Sequence, residues 1–415
     1  MADRIVVTGM GAISPLGLSS EESWRNAVKG KSGVGPITLC DTDGIMVKIA
    51  AEVKGFQPEL YMPVKEVRRR DRFEQFGAAA AREAIEESGL VITDENRARI
   101  GVMISAAIGG ITTLEQNVFV LINEGQRRVT PMVVPMYMPN GAAGLVSIDF
   151  GLTGPCFSIA SACASGADGL GLATLLIKAG IIDVAIAGAS EATITRIGVT
   201  AFDRAGAMSH VEEPPYPTPQ PFDLNRDGLV MGEGAAILVL ERESHALNRG
   251  AKILAELAGY GSTADAYHIT APDENGSGGA RAIRLALESA GISPAEVDYI
   301  NAHGTGTSLN DSAETLAIKS AFGELAYNIP ISSTKSMTGH MMGATGALEA
   351  IFCVWAIREG IIPPTINYQT PDPACDLDYV PNHARQIPVK VAIDNAFGFG
   401  GHNAVLVFKE YESKA

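Results

Sequence analysis

Short uninterrupted apolar runs alternate along the chain with longer segments in which apolar residues recur every three or four positions. Ile5-Val-Val-Thr, Ile100-Gly-Val-Met-Ile, Val184-Ala-Ile-Ala and Ala236-Ile-Leu-Val-Leu are the runs, and they read as buried strands. Phe73 to Ser88 and Gly278 to Ala290 carry the helical spacing. Strands alternating with helices predict an α/β chain with a largely parallel sheet and helices on its faces. Pro214-Pro-Tyr-Pro-Thr-Pro-Gln-Pro predicts a rigid surface loop.

A repeat at an offset of 180 residues sharpens this pattern. Ala164-Ser-Gly-Ala matches Ala344-Thr-Gly-Ala, and Gly180-Ile-Ile matches Gly360-Ile-Ile. Between the matched ends lie apolar helical segments, Leu170 to Ala179 and Ala350 to Glu359, each opened by small residues and closed by glycine. Chance matching in an Ala/Gly-rich chain is the bland explanation. The alternative is a duplicated α/β half, with two equivalent helices meeting at the centre.

Composition narrows the function classes. The chain has 415 residues, of which 46% are hydrophobic and 19% charged, so disorder is excluded. A net charge of −15 makes a poor nucleic-acid binder. The five cysteines are odd in number and lack CxxC spacing, which argues against a disulfide scaffold or zinc knuckle and for a reducing cytosol. Met1-Ala-Asp-Arg before a short apolar run reads as the approach to a strand, not a signal peptide. The charge-free stretch Val129 to Ile148 contains three prolines, so no membrane insertion is expected.

Four segments could carry chemistry. Cys163 lies in Ser158-Ile-Ala-Ser-Ala-Cys-Ala-Ser-Gly-Ala, where a buried strand should end, a tight turn follow and a helix begin near the cysteine. The helix dipole and free backbone N–H groups there would lower the thiol pKa. A free cysteine is more often an inert core filler, the reading kept for Cys156 on the strand itself. His303 follows the strand Val297-Asp-Tyr-Ile in Asn301-Ala-His-Gly-Thr-Gly-Thr, at a strand end where α/β sheets bind ligands. Lys335 and His340 lie in Lys335-Ser-Met-Thr-Gly-His-Met-Met-Gly-Ala-Thr-Gly-Ala, at the start of the second repeat helix. The bland reading of Lys335 is an exposed loop lysine, although its neighbours are small and uncharged. Phe397-Gly-Phe-Gly-Gly-His-Asn lacks GxGxxG spacing, so it is either a strand-to-strand turn or a mobile loop offering N–H groups.

Taken in order, Ser-Ala-Cys-Ala-Ser-Gly, Ala-His-Gly-Thr-Gly-Thr, Lys-Ser-x-x-Gly-His-x-x-Gly-Ala-x-Gly and Gly-Phe-Gly-Gly resemble the β-ketoacyl-[acyl carrier protein] synthases over essentially the whole chain, most closely the elongating type II enzymes. The resemblance implies a thiolase-like duplicated α/β/α/β/α five-layer fold and a homodimer. It implies a half at 1–250 carrying the nucleophilic cysteine and one at 251–415 carrying the histidines and lysine. One cysteine with two histidines fits an elongation enzyme; Cys-His-Asn would fit a priming synthase and Cys-His-Cys a thiolase. His402 stands where the family usually has Thr, and Gly206 where a basic residue is common.

The implied reaction is decarboxylative Claisen condensation of malonyl carrier protein with an acyl group on Cys163. Backbone N–H groups of Cys163 and Phe399 would hold the acyl oxyanion, and His303 and His340 the malonyl enolate, with Lys335 fixing the histidines. Ile108, Phe202 and Phe399 would gate the acyl tunnel, with Gly400 beside them, and Thr305 and Thr307 would hold the phosphopantetheine arm. That arm arrives on the acyl carrier protein, so no cofactor of the enzyme's own is expected. Asn301 and Glu349 are weak candidates for a structural monovalent-cation site. Lys65, Arg68, Arg69, Arg127 and Arg128 would dock the acidic carrier; the run 65–72 holds five basic and two acidic residues. Two alternatives stay open: a discrete polyketide ketosynthase and a non-condensing partner subunit.

Overall fold

The computed structural model describes residues 3–413. Ten strands carry the fold. The first five are β1 (Ile5–Ile13), β2 (Ile100–Ser105), β3 (Cys156–Phe157), β4 (Val184–Glu191) and β5 (Gly234–Arg242). The second five are β6 (Ala255–Ala264), β7 (Tyr299–Asn301), β8 (Ile331–Ser332), β9 (Val391–Gly398) and β10 (His402–Lys409). They pair in the orders β3-β2-β4-β5-β1 and β8-β7-β9-β10-β6, the same topology twice. β1 joins β6 only at Val6–Glu256 and Val7–Ala255.

In each set two neighbouring pairs are parallel and two antiparallel. The sheets are therefore mixed, not largely parallel as the strand–helix alternation predicts. The physical reason is plain at β9 and β10, which a tight glycine turn joins; such a hairpin can only be antiparallel. That turn settles the Gly-rich segment as strand-to-strand, with Gly400 and Gly401 at φ +85° and +71°.

Seven helices matter here: α1 (Arg72–Ser88), α2 (Ile111–Glu124), α3 (Gly141–Phe150), α4 (Ser165–Lys178), α5 (Ser277–Ala290), α6 (Ser308–Phe322) and α7 (Thr345–Glu359). Alternate strand residues feed different cores. Val184 and Ile186 pack with Ala80, Ala84 and Val146 of α1 and α3, whereas Ala185 and Ala187 face a central core built on α4 and α7. Val391 and Ile393 pack with Ala282 and Ile318 of α5 and α6, whereas Ala392 and Ala396 face the centre. Helix, sheet, helix pair, sheet, helix is the five-layer thiolase-like order, and it explains strands apolar on both faces.

The repeat marks the central pair. α7 is buried from Thr345 through Ile357, as a helix apolar all round should be. A Cβ on Gly166 would meet the Gly343 carbonyl oxygen at 2.8 Å, so only glycine lets the helices approach this closely. The correspondence extends to strain: Ala162 and Met342, 180 residues apart, both have left-handed φ, 51° and 48°.

Two local readings differ. Cys156 is exposed on the edge strand β3, not core. The proline loop is exposed at Pro214 and Pro215, but Thr218 to Pro221 is buried, where Pro219 packs beside Gly306. Among the described residues no helix is long and apolar enough to cross a membrane.

Candidate active site

Cys163 sits in the turn just before α4. The strand preceding it is the exposed β3, and the helix starts two residues past the cysteine. The end of β9 closes against this turn because residue 398 is glycine; a Cβ there would lie 2.8 Å from the Ser161 carbonyl oxygen and 3.0 Å from the Cys163 nitrogen. The N–H groups of Phe399 and of Cys163 itself consequently reach the sulfur.

Contrary to the sequence expectation, the thiol is not acidified. Burial pushes it up to about 11, and Glu191 adds to the rise. Lys335 and the two N–H groups oppose this without overcoming it. Removing water from an ionising sulfur outweighs two aligned dipoles and a cation.

His303 lies just past the end of β7. Glu314 of α6 shapes its loop by accepting from the N–H groups of His303 (2.8 Å) and Gly304 (2.7 Å). Asp311, one turn earlier, accepts from Thr305 N–H at 3.1 Å. His340 is held by its own N–H to the Val230 carbonyl at 2.7 Å. Its Nδ1 accepts from the Met342 N–H at 3.1 Å, so the neutral ring carries its proton on Nε2. The two rings stand nearly perpendicular, centroids 5.4 Å apart.

Lys335 is fully buried, and its Nζ donates to both carboxylate oxygens of Glu349 at 2.8 Å. It is not an exposed loop lysine. Burial, and next Lys335, hold both histidines well below the ordinary imidazole range, with His340 adding to the effect on His303. Both rings are neutral near pH 7.

Cys163, His303 and His340 line one cavity of about 190 Å³. Phe202, Phe399, Thr305 and Thr307 also line it, and the two phenylalanine rings stack 6.2 Å apart. Ile108 and Gly400, expected at the substrate, are not among the residues that line this cavity. Ile108 is in a loop that Glu191 draws inward through the N–H groups of Ala107, Ile108 and Gly109. Gly400, in the β9–β10 turn, donates its N–H to the Ile269 carbonyl at 2.7 Å.

Around Asn301 and Glu349, the Asn301 side chain and both Asp394 carboxylate oxygens are buried without a hydrogen-bond partner. Among the described residues no group of three or more His, Cys, Asp or Glu could hold a metal. The surface charge also differs from a simple count over 65–72. Arg70 is buried on Asp149 and Arg72 is paired with Glu233, while Lys65, Arg68 and Arg69 are exposed. Arg127 and Arg128 are exposed as well.

Sequence reasoning passed over Glu191, Glu314 and Asp168. Only Glu191 carries a signal, as an acid closing an otherwise uncharged buried strand. The other two look like ordinary helix acids.

With this geometry in place the comparisons are direct. The Beta-ketoacyl synthase N-terminal domain family matches residues 2–246, and its C-terminal domain family matches 254–369. The 3-oxoacyl-[acyl-carrier-protein] synthase 2 of Staphylococcus aureus strain N315 is 48% identical over 99% of both chains. That of Synechocystis is 47% identical over 99% of this chain and 98% of its own. A solved type II polyketide ketosynthase, in complex with its acyl-carrier protein and bound to a hexaketide, superposes with a TM-score of 0.92 at 37% identity, covering 99% of this chain and 100% of that one. The chain belongs to the β-ketoacyl synthase family.

Proposed function

We propose that the protein elongates fatty acids as a 3-oxoacyl-[acyl carrier protein] synthase of the type II class. The observation that carries this reading is one cavity lined by a thiol with two N–H donors and by two neutral histidines.

Cys163 attacks the acyl thioester on a carrier protein, and its proton passes to a neutral imidazole as the sulfur–carbon bond forms. The N–H groups of Cys163 and Phe399 stabilise the oxyanion, and the carrier thiol leaves with the proton. Malonyl carrier protein then binds, with Thr305 and Thr307 along its pantetheine arm. Its carboxyl carbon–carbon bond breaks to release CO2, and charge moves to the thioester oxygen. His340 donates from Nε2 to that oxygen, with His303 beside it; one such donor is worth about 3–4 kcal/mol. The carbanion attacks the acyl thioester carbon, the carbon–sulfur bond breaks, and Cys163 leaves as a thiolate that takes up a proton from solvent. Splitting the synthesis at a covalent intermediate lowers each barrier. The Lys335 ammonium, held in place by Glu349, keeps both histidines uncharged donors.

The unpartnered oxygens of Asn301 and Asp394 beside Glu349 suit a hard monovalent cation, which would hold structure there. No redox cofactor enters these steps. Exposed Lys65, Arg68, Arg69, Arg127 and Arg128 suit an acidic carrier, and the solved polyketide ketosynthase is likewise in complex with an acyl-carrier protein. The exposed apolar residues Val118, Phe119, Leu121 and Ile122 of α2 support a homodimer, and the five free cysteines suit a reducing cytosol. Higher identity to the fatty-acid synthases favours that pathway over polyketide assembly.

The test is product analysis with acyl- and malonyl-loaded carrier proteins. A 3-oxoacyl product two carbons longer, formed in equal amount with CO2, supports the reading. CO2 without a new carbon–carbon bond contradicts it.

A further inference from the structure

The turn that presents Cys163 is braced from the other half of the molecule. Asp168 lies on α4, one turn past the nucleophile's own turn, and is 7% exposed. Its Oδ2 accepts from the Ser161 hydroxyl at 2.5 Å, and its Oδ1 from the Tyr260 hydroxyl at 2.6 Å. Tyr260 is on β6. Its ring lies against α4 where residue 171 is glycine; a Cβ there would meet a ring carbon at 2.3 Å. Burial, and next Asp168, push the Tyr260 hydroxyl pKa up, so it stays a donor.

Ser161 precedes the strained residue. Its N–H donates to Ser165 Oγ at 2.9 Å, and that hydroxyl donates to the Ala162 carbonyl at 2.6 Å. Ala162 between them holds a φ of 51°, a region an alanine keeps only when its surroundings over-determine it. At the matching turn Met342 has the same conformation, but Leu348 stands in the place of Asp168. The acid is thus special to the nucleophile's side.

We propose that Asp168, braced by Tyr260, is a positioning residue that pins Ser161 and so aims the sulfur and N–H of Cys163 into the cavity. It touches no substrate. The inference deepens the condensing reading and rests on Cys163 being the nucleophile. His303 and His340 lie outside this network, so its loss should slow acyl transfer and spare decarboxylation.

The experiment compares the parent with Asp168→Asn, Tyr260→Phe and Ser161→Ala. Acylation of Cys163 is followed by mass in a single turnover, and CO2 release is followed from malonyl carrier protein alone. Asp168→Asn should acylate about tenfold more slowly, with CO2 release within about twofold of the parent. Tyr260→Phe should lose less, in the same direction. If Asp168→Asn does not fold, the other two variants decide by the same criterion. Unchanged acylation in the folded variants, or acylation and CO2 release falling together, overturns the proposal. A parent never acylated at Cys163 removes the condensing reading itself, and the brace with it.

Discussion

The starts of α4 and α7 occupy equivalent places in a duplicated fold, yet do different work. Each follows a left-handed residue, Ala162 or Met342, and each helix passes its partner at a glycine, Gly166 or Gly346. Residue 163 is a cysteine whose N–H serves the cavity. Its counterpart is Gly343, whose N–H goes to the buried Glu191 carboxylate at 3.2 Å. The buried acids diverge too: Asp168 meets two hydroxyls, whereas Glu349, one position further along the repeat, meets an ammonium. On the proposed function, one backbone used twice supplies a covalent holder on one side and a charge-stabilising wall on the other. Duplication supplies the geometry, and side-chain divergence supplies the division of labour.

Cys163→Gln is expected to break this symmetry hardest. It removes the nucleophile and leaves the histidine wall, so condensation should vanish while CO2 release from malonyl carrier protein continues at or above the parent rate. Loss of both activities in a folded variant would contradict separate roles. His303→Ala attacks the other side. Decarboxylation should fall by about 10²–10³, the value of one donor to a developing oxyanion, with Cys163 acylation surviving in part. Acylation falling as far as decarboxylation would count against the assignment.

A third, smaller effect concerns ionisation. A thiol raised to about 11 by burial is protonated at neutral pH. Its charged form appears only as pH rises, so iodoacetamide labelling of Cys163 should keep climbing past pH 9. A plateau below pH 8 would show an acidified cysteine instead. The smallest effect is expected at the surface. Reversing charge at Arg127 and Arg128 should raise KM for carrier substrates severalfold at low salt, the gap closing as added salt shortens screening to below about 8 Å. Unchanged kinetics at low salt would remove this patch from docking.

Much of this was legible in the sequence because the central layers must be apolar on both faces. The strands at Val184 and Ala236 and the helices on either side of the repeat follow from that alone. The catalytic candidates were legible for a related reason. Lys335 is surrounded by small uncharged residues, as a buried lysine must be if it is to meet a single acid. Strand direction was not legible, since β4 and β5 are joined by a long excursion whose path local patterning does not encode. The direction of the Cys163 shift was missed because a helix start is visible in sequence but enclosure is not. Counting charges over 65–72 failed in the same way: Arg70 is buried on Asp149 and Arg72 is half-buried on Glu233, both acids from distant segments.

The central claim is that the acyl chain rests on the first half while the second half manages the malonyl charge. The most direct measurement is to incubate the protein with acyl carrier protein bearing an acyl group, digest it and locate the modification by mass. The account predicts a thioester on Cys163 alone, discharged when malonyl carrier protein is added. An acyl group on exposed Cys156, or one on Cys163 that malonyl carrier protein leaves in place, would contradict it.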